Sequence, residues 1–137
     1  MEINVVNKSR TKINIFHIKK IVERFLNLHK IKLDVSVIFI GDRKMQRINN
    51  LYRGKNKTTD VLSFEGDQEY FGDIFINYQQ IKRQSPFYSK KIKEELIFIL
   101  IHGLLHLLGH NDKTEKARVK MIKLGEDVIK KINKKND

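Results

Sequence analysis

The run Leu96–Asp112, LIFILIHGLLHLLGHND, limits the fold of this chain more than any other segment. A helix that is apolar on every side must be buried on every side, so this segment forms the middle of a domain. Inside it stand His102 and His106, spaced i, i+4. A buried imidazole needs a partner on each ring nitrogen, at a cost of about 1–3 kcal/mol for each group left without one. Two rings one turn apart on one face can aim their nitrogens at a single ion. The pair is therefore read as two ligands of a metal site rather than as structural core histidines.

A third ligand must come from beyond the helix. If the helix continued past Gly109, His110 would lie ~12 Å along the axis from His102. That is too far for one ion whose bonds are about 2.0–2.1 Å long. Gly109 therefore has to end the helix, as glycine commonly does, and turn the chain back. On geometry His110 and Asp112 are then rivals. Asp112 has a competing use, because Asp112 followed by Glu115 matches a capping box for a further helix; Thr114 could cap that helix instead. His110 could also stand outside the ligand set, in the second layer or facing solvent. The chain has no cysteine, so only nitrogen and oxygen ligands are available. Gly103 occupies the place where H-E-x-x-H zinc proteases carry the glutamate that acts as general base. Peptide hydrolysis of that type is thereby disfavoured.

Charge narrows the substrate. Lys and Arg number 28 against 16 Asp and Glu, a formal net charge of +12 over 137 residues. Such an excess points to a polyanion, nucleic acid first, with a lysine-rich proteome as the bland alternative. The first residues, MEINVVNKSR, show no basic stretch followed by an apolar core, and the apolar run before His102 is shorter than the ~20 residues a spanning helix needs. A soluble, cytoplasmic protein without a membrane partner is expected.

Periodicity predicts a strand at Ile3–Val6, and a helix with Ile15, Ile18, Ile21, Val22, Phe25 and Leu26 on one face. A buried strand follows at Val35–Ile40, then a helix capped by Asp42 carrying Met45, Ile48 and Leu51. A basic loop, Tyr52–Asp60, leads to a strand at Val61–Phe64, and Gly72-Asp73 precedes another at Ile74–Asn77. A helix from about Ser89 to Leu108 and an amphipathic helix from Thr114 to about Lys131 complete the chain. With no repeat and no long linker, 1–137 is expected to be one α+β domain. It would have a small mixed β-sheet packed with helices and a metal-bearing helix near the C-terminus.

HGLLHLLGHND resembles the signature H-G-x-L-H-L-x-G-Y-D-H of the YbeY family, and YRGKNKTTDVLSF resembles that family's R-x-x-x-x-x-T-D-V-L-S-F segment. GDIFI at Gly72–Ile76 is a third match, in the expected order. The resemblance implies a zincin-like scaffold and a zinc-dependent endoribonuclease and ribosomal RNA maturation factor. Its implied work is small-subunit rRNA 3′-end processing and ribosome quality control, with single-stranded rRNA, the small ribosomal subunit and ribosome-associated proteins as partners. It also implies the ligand set His102, His106 and Asp112, at the first, fifth and last positions of the signature. Two departures stand out. The usual Tyr-Asp-His ending is His110-Asn111-Asp112, making the third ligand a carboxylate, which implies tolerance of harder ions such as manganese beside one zinc per chain. Thr58 replaces a proline, which is expected to loosen the loop.

With that resemblance, Arg53 becomes the expected catalytic cation, since a guanidinium presents a planar, permanently charged fork to phosphate. Lys55 and Lys57 are expected RNA-backbone contacts. Asp60 is either an acceptor orienting a ligand histidine or the closure of a turn. Ser63 carries little weight, and His17 and His29 none. The picture is an open metal position that activates water and faces a basic groove holding single-stranded RNA, with attack by the RNA's own 2′-hydroxyl as an open route. Two rivals remain: a non-enzymatic ribosome-binding assembly factor with a structural metal, and a metal-dependent hydrolase of another substrate.

Overall fold

Val35, Val37 and Phe39 alternate with Ser36 and Ile38 along β2 (Asp34–Phe39), and this alternation divides the molecule into layers. The first set lies in the main core and Ile38 in a smaller cluster on the other face. The computed structural model describes residues 1–134, so the last three residues of the 1–137 unit lie outside the described part. β1 (Ile3–Asn7) and β4 (Tyr70–Ile76) flank β2 in parallel, and β3 (Val61–Glu65) closes the sheet antiparallel to β4, in the order β1-β2-β4-β3.

Against the main-core face pack α1 (Ile15–Leu28) and α4 (Ile92–Leu107), and α5 (Glu115–Lys134) packs on these two helices. Ile18, Ile21, Val22, Phe25 and Leu26 form the buried stripe of α1 at helical spacing. The opposite face carries α2 (Asp42–Arg53), whose Met45 is buried with Ile40 and Leu62. The arrangement is the α+β fold the sequence predicts: a mixed sheet with the helix of the paired histidines buried on one side. No helix among the described residues is long and apolar enough to cross a membrane.

Three local expectations are corrected, and two short elements occupy a stretch for which the sequence pattern predicts none. Gly72 and Asp73 lie inside β4, paired with Val35 and Ser36 on one side and with Glu65 and Phe64 on the other. Asp42 is the first residue of α2 rather than its cap, which is Gly41; its carboxylate accepts from Arg83 and Asn77 instead. A short helix, α3 (Tyr78–Gln84), and a 3-10 turn (Ser85–Tyr88) occupy the stretch before α4. α4 itself begins at Ile92 because Ser89 adopts a left-handed φ of 53° and Lys91 is extended.

Candidate metal centre

α4 carries both histidines on its C-terminal half, and the geometry of its end determines what joins them. Gly109 has φ 101°, a conformation side chains rarely adopt, and the amide of His110 closes the turn on Leu105 O at 3.1 Å. The chain then doubles back. Asp112 Oδ2 comes to 3.5 Å from His102 Nε2 and 3.8 Å from His106 Nε2, and the two Nε2 atoms are 3.1 Å apart. A tetrahedral ion with bonds of about 2.05 Å separates its ligand atoms by about 3.3 Å, which these three edges bracket.

The competing uses of these residues resolve in favour of this cluster. Thr114 Oγ1 accepts from the amide of Ala117 at 3.0 Å and so caps α5, while Glu115 pairs with Arg118 at 2.7 Å; Asp112 is left free. The exposed ring of His110 is not part of the cluster, whose members are His102, His106 and Asp112. Its backbone carbonyl instead lies 3.0 Å from His106 Nδ1. With the proton on Nδ1 donated to that carbonyl, the Nε2 lone pair of His106 faces His102 and Asp112. Burial, and next the adjacent His106, hold the His102 imidazole below its usual pKa, against the upward pull of Asp112 and Asp60. A ring kept neutral in this way is a ligand ready for a cation. Two imidazole nitrogens and a carboxylate oxygen suit zinc and harder divalent ions alike.

Gly103 faces the sheet, not the cluster. A Cβ there would meet Ile74 Cγ2 at 3.1 Å, Ser63 Oγ at 3.2 Å and Val61 Cγ2 at 3.3 Å. A glutamate has no room at this position, a steric reason for the missing protease residue. Ser63 Oγ donates to Gly103 O at 2.9 Å, tying α4 to β3.

His102, His106 and Asp112 open onto a cleft of about 1510 Å³ bordered by β3, α4 and α5. Arg53 lies on its wall. As the last residue of α2 it is followed by Gly54, whose φ of 68° lets the helix end there. Its Nη2 donates to Ser63 O at 2.8 Å, and its guanidinium lies over Phe64 at 5.1 Å. Lys55 and Lys57 are exposed but lie outside the cleft lining. Their loop is tied down, since Asn49 Nδ2 donates to Lys57 O at 2.9 Å and Asn77 Nδ2 to Thr58 Oγ1 at 3.0 Å. Thr58 therefore anchors this loop rather than loosening it.

Asp60 acts on His102 through charge, but its carboxylate bonds elsewhere, accepting from Gln84 Nε2 at 2.9 Å and Thr59 Oγ1 at 3.3 Å. The same Gln84 nitrogen donates to the buried Glu95 at 3.1 Å, and Lys90 Nζ lies 3.7 Å from Glu95 and 3.8 Å from the centre of the Phe98 ring. Phe98 in turn stacks on His102. Sequence reasoning missed this wall; a charged residue, Glu95, at the buried start of an apolar helix was its one available signal. His17 and His29 stay apart: His29 stacks on Phe25 and bonds its carbonyl.

A basic groove was expected, and the lining corrects that. Among the described residues, Arg53, Lys90, Lys113, Arg118 and Lys130 line the cleft together with Asp60, Glu65, Glu94, Glu95, Asp112 and Glu126, five cations against six carboxylates. The excess positive charge of the chain is carried elsewhere on its surface.

A family model described as endoribonuclease YbeY matches residues 4–133. The chain belongs to the YbeY endoribonuclease family. It is 36% identical to the endoribonuclease YbeY of Acholeplasma laidlawii, over 98% of this chain and 99% of that protein. It is also 36% identical to that of Phytoplasma mali, over 97% and 90% of the two chains. The solution structure of TM1509 from Thermotoga maritima superposes with a TM-score of 0.67, covering 97% of this chain and 93% of that one at 22% identity, and shares the fold.

Proposed function

We propose that this chain, acting as a single domain, cuts single-stranded RNA hydrolytically at a divalent ion held by His102, His106 and Asp112. The observation that carries the proposal is the triangle of donor atoms at 3.1, 3.5 and 3.8 Å, open to a cleft with Arg53 on its wall. Three protein ligands with one side open is the pattern of catalytic sites; structural sites are closed by four. The exposed ring of His110, outside the cluster, therefore favours an enzyme over an assembly factor with a structural metal.

Held by His102, His106 and Asp112, a divalent ion would supply Lewis acidity for phosphodiester hydrolysis. The protein's own groups do the rest. The His110 carbonyl holds the His106 tautomer. Arg53, with one N–H spent on Ser63 O, turns the remainder of its fork to the phosphate and offsets the charge that builds on it. Asp60 biases His102 by charge from behind. Lys55 and Lys57 act outside the cleft as backbone contacts along the approaching RNA. Zinc is the first choice of ion, one per chain, with manganese suited by the carboxylate. Ribosomal RNA maturation in the cytoplasm, including the 3′ end of small-subunit rRNA, and ribosome quality control are the proposed setting. The small subunit and its associated proteins are the proposed partners.

Zinc-loaded wild-type protein, His106→Ala and Arg53→Ala are incubated with small ribosomal subunits and with a short single-stranded RNA. Cleavage by wild type alone is expected. Equal cleavage by His106→Ala would sink the metal reading, and full activity in Arg53→Ala would remove that residue from the mechanism.

A further inference from the structure

We propose that Phe87 and Tyr88, on the 3-10 turn at the rim of the cleft, form a stacking platform for the bases of RNA leading out of the metal centre. This rests on the RNA reading above. The two rings are 86% and 62% exposed, and Tyr88 lines the same cleft as His102 and Arg53. Other exposed aromatic side chains have company: Lys20 lies over Phe16 at 5.3 Å, and Tyr52 meets Phe64 edge-on at 5.3 Å. Among the described residues, Phe87 and Tyr88 have neither an aromatic nor a cationic neighbour of this kind.

Their exposure is built in. Ser85 is buried, Pro86 restricts the backbone, Ser89 N bonds Pro86 O at 3.2 Å and Lys90 N bonds Ser85 O at 3.1 Å. The turn thus holds two large rings outward on a fixed backbone, which lowers the ordering cost of binding a flat partner. The segment 82–93, KRQSPFYSKKIK, holds five cations and no acid. Arg83 is taken by Asp42 and Lys90 by Glu95, but Lys91 and Lys93 have no carboxylate within 4.0 Å among the described residues. Free cations beside exposed rings suit a phosphate backbone with unstacked bases. Protein interfaces, by contrast, are depleted in lysine. The platform also lies near the centre along the chain and the cleft: His102 stacks on Phe98, Lys90 lies over Phe98, and Tyr88, two residues before Lys90 in sequence, lines the same cleft.

The test uses the full zinc-loaded chain and a labelled single-stranded oligoribonucleotide, intact or with abasic sites, followed by fluorescence anisotropy. Tyr88→Ala and Phe87→Ala should each weaken binding of the intact strand by about tenfold, whereas Tyr88→Phe should bind like wild type. Abasic sites should weaken binding to wild type by a similar factor and cost the alanine variants much less. Melting curves establish that each variant is folded. Alanine variants that bind intact RNA within twofold of wild type would overturn the platform, and with it leave these rings to a protein partner. Wild-type protein that cuts RNA would then still uphold the broader reading; wild type that neither binds nor cuts RNA would overturn both.

Discussion

Replacing Gly103 by alanine probes the contact that seats α4, the helix of the paired histidines, on the sheet. The added Cβ would lie 3.1, 3.2 and 3.3 Å from Ile74, Ser63 and Val61. Carbon atoms in good contact stand at about 3.5–4.0 Å, so the neighbours must retreat by a few tenths of an ångström. Ile74 is fully buried and Ser63 is bonded to Gly103 O, so neither is free to yield. Overpacking of this kind costs about 1–3 kcal/mol, while glycine to alanine within a helix returns about 0.8–1.0 kcal/mol. With three close neighbours the cost should exceed the gain, for a net loss of about 1–2 kcal/mol and a melting point lower by roughly 3–8 °C. Gly103→Glu would add a buried carboxylate without a partner and cost on the order of 3–5 kcal/mol. Urea unfolding followed by circular dichroism, on metal-free protein so that ion binding does not mask the packing term, measures both. An alanine variant more stable than wild type by about 1 kcal/mol, the propensity gain alone, would refute the tight contact. The steric argument against a protease glutamate would fall with it.

Alanine at His102, His106 or Asp112 should each lower zinc affinity by more than the 10–100-fold typical of losing an outer partner, as read by competition with a chromophoric chelator; unchanged affinity in Asp112→Ala would remove the carboxylate from the site. Asp112→His should shift preference from manganese toward zinc in the same assay. The Arg83 guanidinium above all, helped by Asn77 and Thr58 and opposed by burial, holds Asp42 below its usual 3.8. Its stabilising contribution is therefore complete above that value and lost as pH falls through the lower folded-state value. For a pair this exposed it amounts to no more than about 1 kcal/mol, and urea midpoints for Asp42→Asn should lack this acid-side loss. Arg53→Ala should flatten the salt dependence of single-stranded RNA binding by about 0.7 in log–log slope, and an identical slope would mean that Arg53 meets no phosphate.

The paired histidines, the turn at Gly109 and the main strands were legible because each is a local consequence of spacing: i, i+4 for the ligands, alternation for Val35, Val37 and Phe39. The choice between His110 and Asp112 was not, because both lie within reach of a turn whose exit only three dimensions define. What favours Asp112 is that Thr114 caps α5 and that the Asp112 carboxylate comes within 3.5 and 3.8 Å of the two ring nitrogens. The family signature named Asp112 before any geometry did. The Gln84–Glu95–Lys90 wall was invisible for a different reason. It joins residues from a 3-10 boundary, a turn and a helix start, and no periodicity links them. A net charge of +12 gave no hint that the cleft itself holds nearly equal numbers of both signs, since composition carries no position.

That balance changes how the charge can work. At physiological ionic strength, charges more than about 8 Å apart are largely screened, so lysines scattered over the surface raise the rate of encounter with a polyanion but do little at the reacting phosphate. Within the cleft the local field would be set by the nearest charges: a bound ion, its ligands and the cations and carboxylates of the lining. With Asp112 as ligand, a dication leaves the centre at about +1, one unit below a centre with three neutral histidines. A weaker electrophile leaves more of the developing phosphate charge to a neighbouring cation. Of the five cleft cations among the described residues, Lys90 is drawn to Glu95 and Arg118 to Glu115; Lys113, Lys130 and Arg53 have no such ion pair, and Arg53 is the arginine of these three, held by the neutral Ser63 carbonyl and the Phe64 ring. On the proposed mechanism, Arg53 is thereby left to meet the phosphate. On the proposed reading, a carboxylate ligand and an arginine on the wall of the same cleft would work together, and replacing Asp112 by histidine should make the chain less dependent on Arg53.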